Sequence, residues 1–494
     1  MHDEIVLNPN KLVQYLDKPA RDFTRKDIVK FIEENDVRNV NFRYVAGDGR
    51  LKTLNFVINS KKHLDHILAT GERVDGSNLF SYIPASSSDL YVIPRYRTAF
   101  LNPFTDTPTV ELLCSYYTSA GKPLESAPEY VISRAFQLLK ERTGYELEML
   151  GELEYYLISD IDTIYPIVEQ KGYHESSPFS KWEAIRRETM QAISEMGGQI
   201  KYGHAEVGNI VQDDRAMVQH EIEFLPMPAP EAADHLVLAK WAIREITYNY
   251  GMEVSFAPKI IVGHAGSGLH IHCRLVKEGK NAMVDNEGLS DVARKLIAGF
   301  LTLAPSLTAF GNTVPTSFLR LVPHQEAPTS ICWGDRNRSV LVRVPLGWVG
   351  VGNMAKSANP MEPADKGEYM NAQTVELRSP DGSANAHQLM AGLCVAALYG
   401  LEYPDALKIA RDLYVSVDAS TVKELRQLPA SCYEAGEILL KDRDIYEKYG
   451  IFPAGMIEKL AQDLKAHNDK GMSEKLYGNE GALKEVVKKF FHCG

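Results

Sequence analysis

A segment of alternating polar and apolar residues, residues 151–160, predicts a β-strand with two different faces. Successive side chains of a strand point to opposite sides, so the apolar residues share one face and Glu152 and Glu154 share the other. A lone Glu-x-Glu pair is typical of a solvent-facing strand edge. Adjacent carboxylates also repel each other unless a cation lies near them, which makes the pair a candidate binding site.

The N-terminal part of the chain predicts a small α+β unit. Residues 24–35 have helical spacing of their apolar side chains. Two alternating segments, 40–44 and 54–58, flank a Gly-Asp-Gly turn at 47–49 and predict a β-hairpin. The polar, glycine-containing segment 73–78 is typical of a loop.

A segment rich in Ser, Gly and Pro at 119–128 predicts a boundary between residues 1–120 and residues 121–494. Beyond it, Ser126 is a candidate N-cap for a helix that Gly144 would end. Further helices are predicted at residues 182–196, 231–250 and 389–401. Because strand patterns lie between these helices, the second domain is also predicted to mix strands and helices, and the fold class is α+β.

Composition narrows the class of protein. The chain has 494 residues, 45% of them hydrophobic and 24% charged, with a formal net charge of −11. This acidic balance argues against nucleic acid or an anionic membrane as the main partner. The six cysteines have no Cys-x-x-Cys spacing, and neither a signal peptide nor a bilayer-spanning apolar segment is visible. We therefore expect a cytoplasmic enzyme-sized protein.

Several other strand-like segments place charged side chains on one face. The residues concerned are Glu152, Glu154, Glu206, Glu221, His270, His272, Arg336, Arg338, Arg343, Glu376 and Arg378. Carboxylates with one imidazole suit Mg²⁺ or Mn²⁺ better than zinc, and arginines beside such ions suit phosphoryl transfer. There is no Walker A loop, and the glycine-rich segment 263–268 precedes a strand rather than a helix. From chemistry alone, the sequence predicts a metal-dependent enzyme that handles a phosphate or a carboxylate.

These segments, taken in order, resemble the motifs of the glutamine synthetase family, of the type I-like kind. The matching segments are residues 75–77, 151–154, 172–173, 204–207, 219–222, 266–272, 320–328, 336–339, 342–345, 376–381 and 383–385. The resemblance implies an N-terminal β-grasp-like domain and a catalytic domain whose curved antiparallel sheet is flanked by helices. It also implies a homo-oligomer, a dodecamer of two hexameric rings, with active sites between subunits.

The resemblance further implies residue roles. Glu152, His270 and Glu376 match the ligands of one divalent cation, and Glu154, Glu206 and Glu221 match those of a second, with Mg²⁺ or Mn²⁺ at two or more sites per subunit. Arg338 and Arg343 would bind the phosphoryl group, and His272 (with Arg343) would bind ATP. Arg320, Arg378 and Gly266 would bind glutamate. Asp75 and Tyr173 would bind ammonium, and Glu326 would lie on a loop that shields the acyl phosphate.

This sequence also departs from the family pattern. His264 and Ala265 replace the usual Asp-Asn before the Gly-Ser-Gly segment, Asn78 replaces a serine, and Thr374 replaces an arginine. The metal and phosphate residues are complete, whereas the acceptor pocket is altered. The first hypothesis is ATP-dependent synthesis of glutamine from glutamate and ammonium. The alternatives are a γ-glutamyl-amine ligase that takes a larger amine, and a non-catalytic oligomer of the same fold.

Overall fold

The computed structural model describes residues 5–286, 288–322, 327–348, 354–363, 372–476 and 478–494. Within them the chain forms two large β-sheets, each covered by its own hydrophobic core. The division of the chain at residue 120 stays a prediction, although residues 39–118 supply the strands of the first sheet and residues 146–377 those of the second.

The first sheet has the order β2-β1-β6-β4-β3, with β5 beside β6. Strand β1 is antiparallel to β2 and parallel to β6, so the sheet is mixed. Its strands are β1 Asn39–Val45, β2 Leu51–Val57, β3 Glu72–Asp75, β4 Asp89–Pro94, β5 Phe100–Leu101 and β6 Thr109–Thr118. The predicted hairpin is confirmed, and Gly49 takes the positive φ of 78° that its turn requires.

Three helices accompany this sheet: α1 Lys11–Leu16, α2 Arg25–Glu34 and α3 Lys61–Thr70. Helix α2 confirms the helix predicted at residues 24–35, and Thr24 and Asp27 form a capping box at its start. The loop predicted at residues 73–78 is wrong in its first half, which pairs with β4 as strand β3. The polar pattern misled because edge strands carry polar side chains on their exposed face.

Helix α4, Pro128–Thr143, begins at a different residue from the one predicted. Its N-cap is Ala127, and the candidate cap Ser126 instead accepts a hydrogen bond from the Tyr82 hydroxyl at 2.8 Å. Pro128 explains the difference, because a proline is preorganised for the first helical position and has no N–H that needs a cap. Gly144 ends the helix in the left-handed conformation, as predicted.

The second sheet has the order β16-β17-β18-β12-β7-β9-β8. Its neighbours are antiparallel except for the pair β16 and β17 at one edge. Short strands β10, β11 and β13 join β7 or β12, and β14 pairs with β15. The bounds are β7 Glu146–Asp160, β8 Ile200–Gln212, β9 Arg215–Phe224, β10 Met227–Pro228, β11 Glu253–Ser255, β12 Leu269–Lys277, β13 Lys280–Asn281, β14 Val284–Asp285, β15 Gly288–Leu289, β16 Trp333–Asp335, β17 Val342–Val344 and β18 Val375–Leu377.

Helices cover the outer face of this sheet and leave its inner face for the polar residues. The predicted helices at 182–196, 231–250 and 389–401 are confirmed as α5, α6 and α10. The bounds are α5 Glu183–Glu195, α6 Ala229–Asn249, α7 Asp291–Gly311, α8 Ser317–Arg320, α9 Met354–Ala358, α10 Ala386–Glu402, α11 Ala406–Asp412, α12 Cys432–Lys441, α13 Arg443–Glu447, α14 Met456–Ala466, α15 Met472–Leu476 and α16 Glu480–Phe490.

The most apolar of the predicted helices, α10, is buried along nearly its whole length against the main core. Among the described residues, no helix is long and apolar enough to cross a membrane. All six cysteines are free thiols, and five of them are buried.

Candidate active site

The inner face of the second sheet carries the polar residues in rows that run across neighbouring strands. Alternation along β7 puts every second side chain on this face, and strand pairing aligns each one with its neighbours. Three rows follow one another along β7. They are His204–Glu221–Glu154, Tyr202–Glu223–Glu152–His270 and Leu150–His272–Glu376–Arg343.

Glu152 lies at the centre of the middle row. Its carboxylate bridges two imidazoles, with Oε2 2.9 Å from Nδ1 of His270 and Oε1 2.8 Å from Nε2 of His272. Burial alone would raise the pKa of Glu152, but the two imidazoles hold this pKa well below its ordinary value. The central carboxylate is therefore kept ionised and available to a cation.

The first predicted cation set comes together in the fold. Donor atoms of Glu152, His270 and Glu376 all lie within 4.8 Å of one another. Burial and Glu152 raise the pKa of Glu376, and the imidazoles of His272 and His270 and the guanidinium of Arg378 more than offset this, so the pKa lies below its ordinary value. Two carboxylates and an imidazole are donors that suit Mg²⁺ or Mn²⁺.

The second predicted set is brought together only in part. Glu206 and Glu221 lie with His204, and donor atoms of these three residues are within 4.8 Å of one another. Glu154 is the strand partner of Glu221, but its Oε2 accepts hydrogen bonds from the Gly268 amide at 2.7 Å and from a glutamine side chain at 3.1 Å. Its Oε1 is 3.9 Å from Nε2 of the imidazole in the first set, so Glu154 lies between the two sets.

Sequence reasoning did not assign a role to His204. A usable signal was present, because His204 precedes Glu206 by two residues in a strand and so shares its face. The β8–β9 pairing is irregular between Ala205 and Asn209, where Glu206 lies. Such irregularities change the direction of side chains next to active sites, and the alternation of residues alone does not show where an irregularity lies.

Negative charge accumulates at this end of the site. Burial, followed by the carboxylates of Glu152, Glu154, Glu206 and Glu223, raises the pKa of Glu221 well above its ordinary value. The cause is repulsion between like charges in a poorly solvated place. A bound divalent cation would reverse this effect, so the donor set fits the ions that the sequence predicts.

Four arginines predicted to hold phosphate or carboxylate groups surround the same cavity, whose volume is about 1680 Å³. Arg343 donates to Oε2 of Glu376 at 2.8 Å, and Arg378 donates to Oε1 of the same carboxylate at 3.0 Å. Arg378 also donates to the backbone carbonyl of Arg338. Arg320 donates to the carbonyl of Ser379 at 2.8 Å. These contacts fix the guanidinium groups of Arg320, Arg343 and Arg378 before any anion arrives, which is preorganisation for anion binding.

The remaining predicted residues are spread more widely. Tyr173, Gly266 and His272 line the cavity, and the Tyr173 ring stacks on His174 at 4.2 Å between centroids. Asp75 lies in the first sheet, outside this cavity, where its exposed carboxylate accepts from the Ser77 amide at 3.0 Å. Glu326 lies outside the described residues.

The altered segment at His264 and Ala265 is tightly held by its backbone. The Tyr156 hydroxyl donates to the Ala265 carbonyl at 2.8 Å, and the Ala265 amide donates to Gln170 at 2.8 Å. Lys259 donates to the His264 carbonyl at 2.6 Å. Because Ala265 is itself buried, this position offers the cavity no polar side chain in place of the usual amide.

A buried histidine–arginine pair lies on the opposite face of the sheet from the carboxylates. His220 is completely buried, and Arg186 donates to its Nδ1 at 2.6 Å. Burial and the nearby Arg186 charge lower the pKa of His220 to about 3. The imidazole is therefore neutral at physiological pH and accepts the hydrogen bond at Nδ1.

Comparisons with known proteins agree with this arrangement. The family model described as glutamine synthetase, catalytic domain, matches residues 125–469, and the model described as glutamine synthetase, beta-Grasp domain, matches residues 36–119. A glutamine synthetase of Thermus thermophilus is 32% identical over 443 residues, covering 87% of this chain and 92% of that protein. One of Clostridium saccharobutylicum is 30% identical over 452 residues, covering 88% and 94% respectively.

Solved structures share the fold at lower identity. The Plasmodium falciparum glutamine synthetase superimposes with a TM-score of 0.74 at 19% identity, covering 92% of this chain and 99% of that one. A structure titled apo GmaS superimposes with a TM-score of 0.72 at 18% identity, covering 92% and 100%. The predicted β-grasp domain and curved, helix-flanked sheet are thereby confirmed.

The family models and the curated relatives show the class of protein, which is a class of ligase enzymes. The chain belongs to the glutamine synthetase family. Members of this family generally use ATP and divalent metals, act on small molecules and form oligomers. The clusters of carboxylates and imidazoles described above could hold such metals.

Proposed function

We propose that the protein is an ATP-dependent ligase that joins ammonium to the γ-carboxylate of glutamate and yields glutamine, ADP and phosphate. One observation carries the proposal. The cation donors lie on neighbouring strands of one sheet, and all of them except Glu376 line one cavity together with the four arginines. Phosphoryl transfer to a carboxylate needs this combination, because two negatively charged groups must approach each other.

In the first step a γ-carboxylate oxygen of glutamate attacks the terminal phosphorus of ATP, and ADP leaves. Arg338 and Arg343 bind the phosphoryl oxygens, and His272 contacts the nucleotide. Arg320 and Arg378 hold the carboxylates of glutamate. Divalent cations held by Glu152, Glu154, Glu206, Glu221, His270 and Glu376 would supply the remaining positive charge.

In the second step ammonium loses a proton, its nitrogen attacks the acyl carbon, and phosphate leaves. Ammonium is not a nucleophile until it is deprotonated, so an anionic site must bind it and accept the proton. We assign this role to Asp75 and Tyr173, with Asp75 reaching the site of a neighbouring subunit in a dodecamer of two hexameric rings. Glu326 belongs to the loop that would keep water from the acyl phosphate.

A γ-glutamyl-amine ligase is the second candidate, and a specific observation favours it. His264 and Ala265 stand where the family has Asp-Asn, and Ala265 presents no polar group to the cavity. Beside the cavity, the rings of Tyr173 and His204 flank His174, with the His174–His204 centroids 4.2 Å apart. Stacked rings offer an apolar surface that an alkyl group could contact and that ammonium does not need.

One assay separates these functions. ADP release is measured with ATP, Mg²⁺ and glutamate, first with ammonium and then with a series of primary amines of increasing size. Turnover with ammonium supports glutamine synthesis, and turnover only with a larger amine supports the second candidate. Absence of ADP release with every amine would contradict both and favour a non-catalytic oligomer.

The Asp75→Ala variant tests the assignment of the amine step. We expect it to retain glutamate-dependent formation of the acyl phosphate while the transfer to the amine falls. Asp89→Ala is a matched control, because Asp89 is the strand partner of Asp75 and is also exposed. Equal loss of both steps in Asp75→Ala would contradict the assigned role.

A further inference from the structure

Residues 168–174, which carry Tyr173 and which we call the amine segment, lie along strand β8 at the end of the second sheet. Three backbone amides of this segment donate to three alternate carbonyls of β8. The pairs are Gln170–Asn209 at 3.1 Å, Gly172–Val207 at 3.3 Å and His174–Ala205 at 2.9 Å. Because alternate residues pair on both sides, the contacts form an antiparallel ladder that fixes the amine segment beside Glu206.

The side chain of Gln170 connects this ladder to a second element. Its Nε2 donates to the Asn209 carbonyl at 3.1 Å, and its Oε1 accepts a hydrogen bond from the Ala265 amide at 2.8 Å. Ala265 belongs to residues 256–268, between β11 and β12, which we call the glutamate loop because Gly266 is assigned to glutamate. A buried amide needs an acceptor, and Ala265 is buried. One side chain therefore joins the amine segment to the glutamate loop.

The glutamate loop has little freedom to move by itself at this point. The Gly266 carbonyl accepts a hydrogen bond from the Gln219 side chain at 2.9 Å. A Cβ added to Gly266 would lie 3.1 Å from Cγ of Arg320, so the loop backbone packs directly against an arginine assigned to glutamate. A shift at Ala265 would therefore move the groups that hold glutamate.

We propose that Gln170 is a positioning residue that holds the amine segment at a fixed distance from the glutamate loop, so that bound glutamate also orders the amine site. Tyr173 and Gly266 line the cavity, whereas Gln170 is not among the described residues that line it, so it acts through these neighbours. Where the family has an amide side chain, at residue 265, the amide of Gln170 instead holds the backbone. This role rests on the proposed function, and it is the same for ammonium and for a larger amine.

The second step of the reaction depends on this distance. The amine nitrogen must reach the acyl carbon of bound glutamate, and a misplacement of about 1 Å can cost about a hundredfold in rate. We expect Gln170→Ala to raise KM for the amine by about three- to tenfold, because the variant loses both side-chain hydrogen bonds. KM for ATP and single-turnover formation of the acyl phosphate at saturating glutamate should stay as in the wild type.

Hydrogen–deuterium exchange of the full-length chain tests the coupling without turnover. Exchange is compared with and without glutamate, in the presence of Mg²⁺ and a non-hydrolysable ATP analogue. In the wild type we expect glutamate to slow exchange by at least about threefold in both residues 168–174 and residues 263–268. In Gln170→Ala only residues 263–268 should respond. Gln170→Glu, whose carboxylate can still accept from the Ala265 amide, should restore the response of both segments.

Gln191→Ala is the matched control and should behave as the wild type, because Gln191 is exposed on α5 and donates to Glu195 of the same helix at 3.0 Å. A wild-type response confined to residues 263–268, a response of both segments in Gln170→Ala, or an unchanged KM for the amine would overturn the proposal. If both segments respond in a wild type that releases no ADP with any amine, the coupling is supported and only the proposed function is contradicted. A response in neither segment would contradict both.

Discussion

Glu376→Gln tests how the site is held together, because this one carboxylate joins a cation set to two arginines. Glu376 is 2% exposed and accepts hydrogen bonds from Arg343 at 2.8 Å and from Arg378 at 3.0 Å. Glutamine has about the same volume but no charge. It offers one carbonyl oxygen as an acceptor, whereas the carboxylate offers two. The variant therefore loses one charge-assisted hydrogen bond and weakens the other.

The magnitude follows from those two bonds. Hydrogen bonds to charged groups contribute about 1.5–3 kcal/mol each, so losing one and weakening the other costs about 1.5–6 kcal/mol. Since each 1.4 kcal/mol corresponds to about a tenfold change in rate, kcat/KM should fall by about 10–10⁴. The loss of a cation ligand acts in the same direction.

The assay is glutamate-dependent ADP formation, measured with and without ammonium, together with Mn²⁺ binding. We expect both ADP formation and the affinity for one Mn²⁺ to fall, because the same carboxylate serves the arginines and the ion. Glu148→Gln is the matched control and should retain wild-type kinetics, because Glu148 lies on the same face of β7 but is ion-paired with Arg274 at 2.7 Å. A Glu376→Gln enzyme with kcat/KM within about threefold of the wild type would refute the ligand assignment and the role of the arginine contacts.

Three further predictions concern stability. His220→Gln should flatten the pH dependence of the unfolding free energy measured with urea. The wild-type imidazole stays neutral in the folded protein down to about pH 3, whereas in the unfolded chain it takes up a proton below about pH 6.5. Between these two values the imidazole therefore lowers the stability of the wild type by about 1.4 kcal/mol for each unit by which the pH falls. Arg95→Met should lower the unfolding free energy by about 3–5 kcal/mol, because it leaves the buried Asp234 carboxylate without the guanidinium that contacts it at 2.7 and 3.0 Å. Gly208→Ala should cost about 1–3 kcal/mol and lower the melting temperature, because its Cβ would collide with the Tyr156 hydroxyl.

Each of these variants has a control at an exposed site. His492→Gln is the control for the histidine variant, since that imidazole is exposed. Arg97→Met, which breaks a more exposed ion pair, should cost less than about 1 kcal/mol. Gly481→Ala meets only one atom within 4 Å, at 3.8 Å, and should be nearly neutral. Equal effects in a variant and its control would contradict the corresponding argument.

Most of the fold was predictable because its signals are local. The alternation in residues 151–160 placed Glu152 and Glu154 on one face, and the helical spacing in residues 231–250 and 389–401 marked two helices of the core. Local signals failed where another residue changed the outcome. Pro128 made a cap at Ser126 unnecessary, and pairing with β4 turned a polar segment into strand β3.

The sequence by itself determined the family, the sheet-and-helix architecture and most of the donors, since the ordered motifs and the alternation are written along the chain. Only the tertiary structure decided which donors meet. His204 lies with Glu206 and Glu221, Glu154 is engaged by backbone and glutamine donors, and Glu223 lies against Glu152. The physical reason is register. The pairing of β7 with β9 and of β7 with β12 joins segments distant in sequence, and a strand's own pattern fixes its face but not the residue opposite.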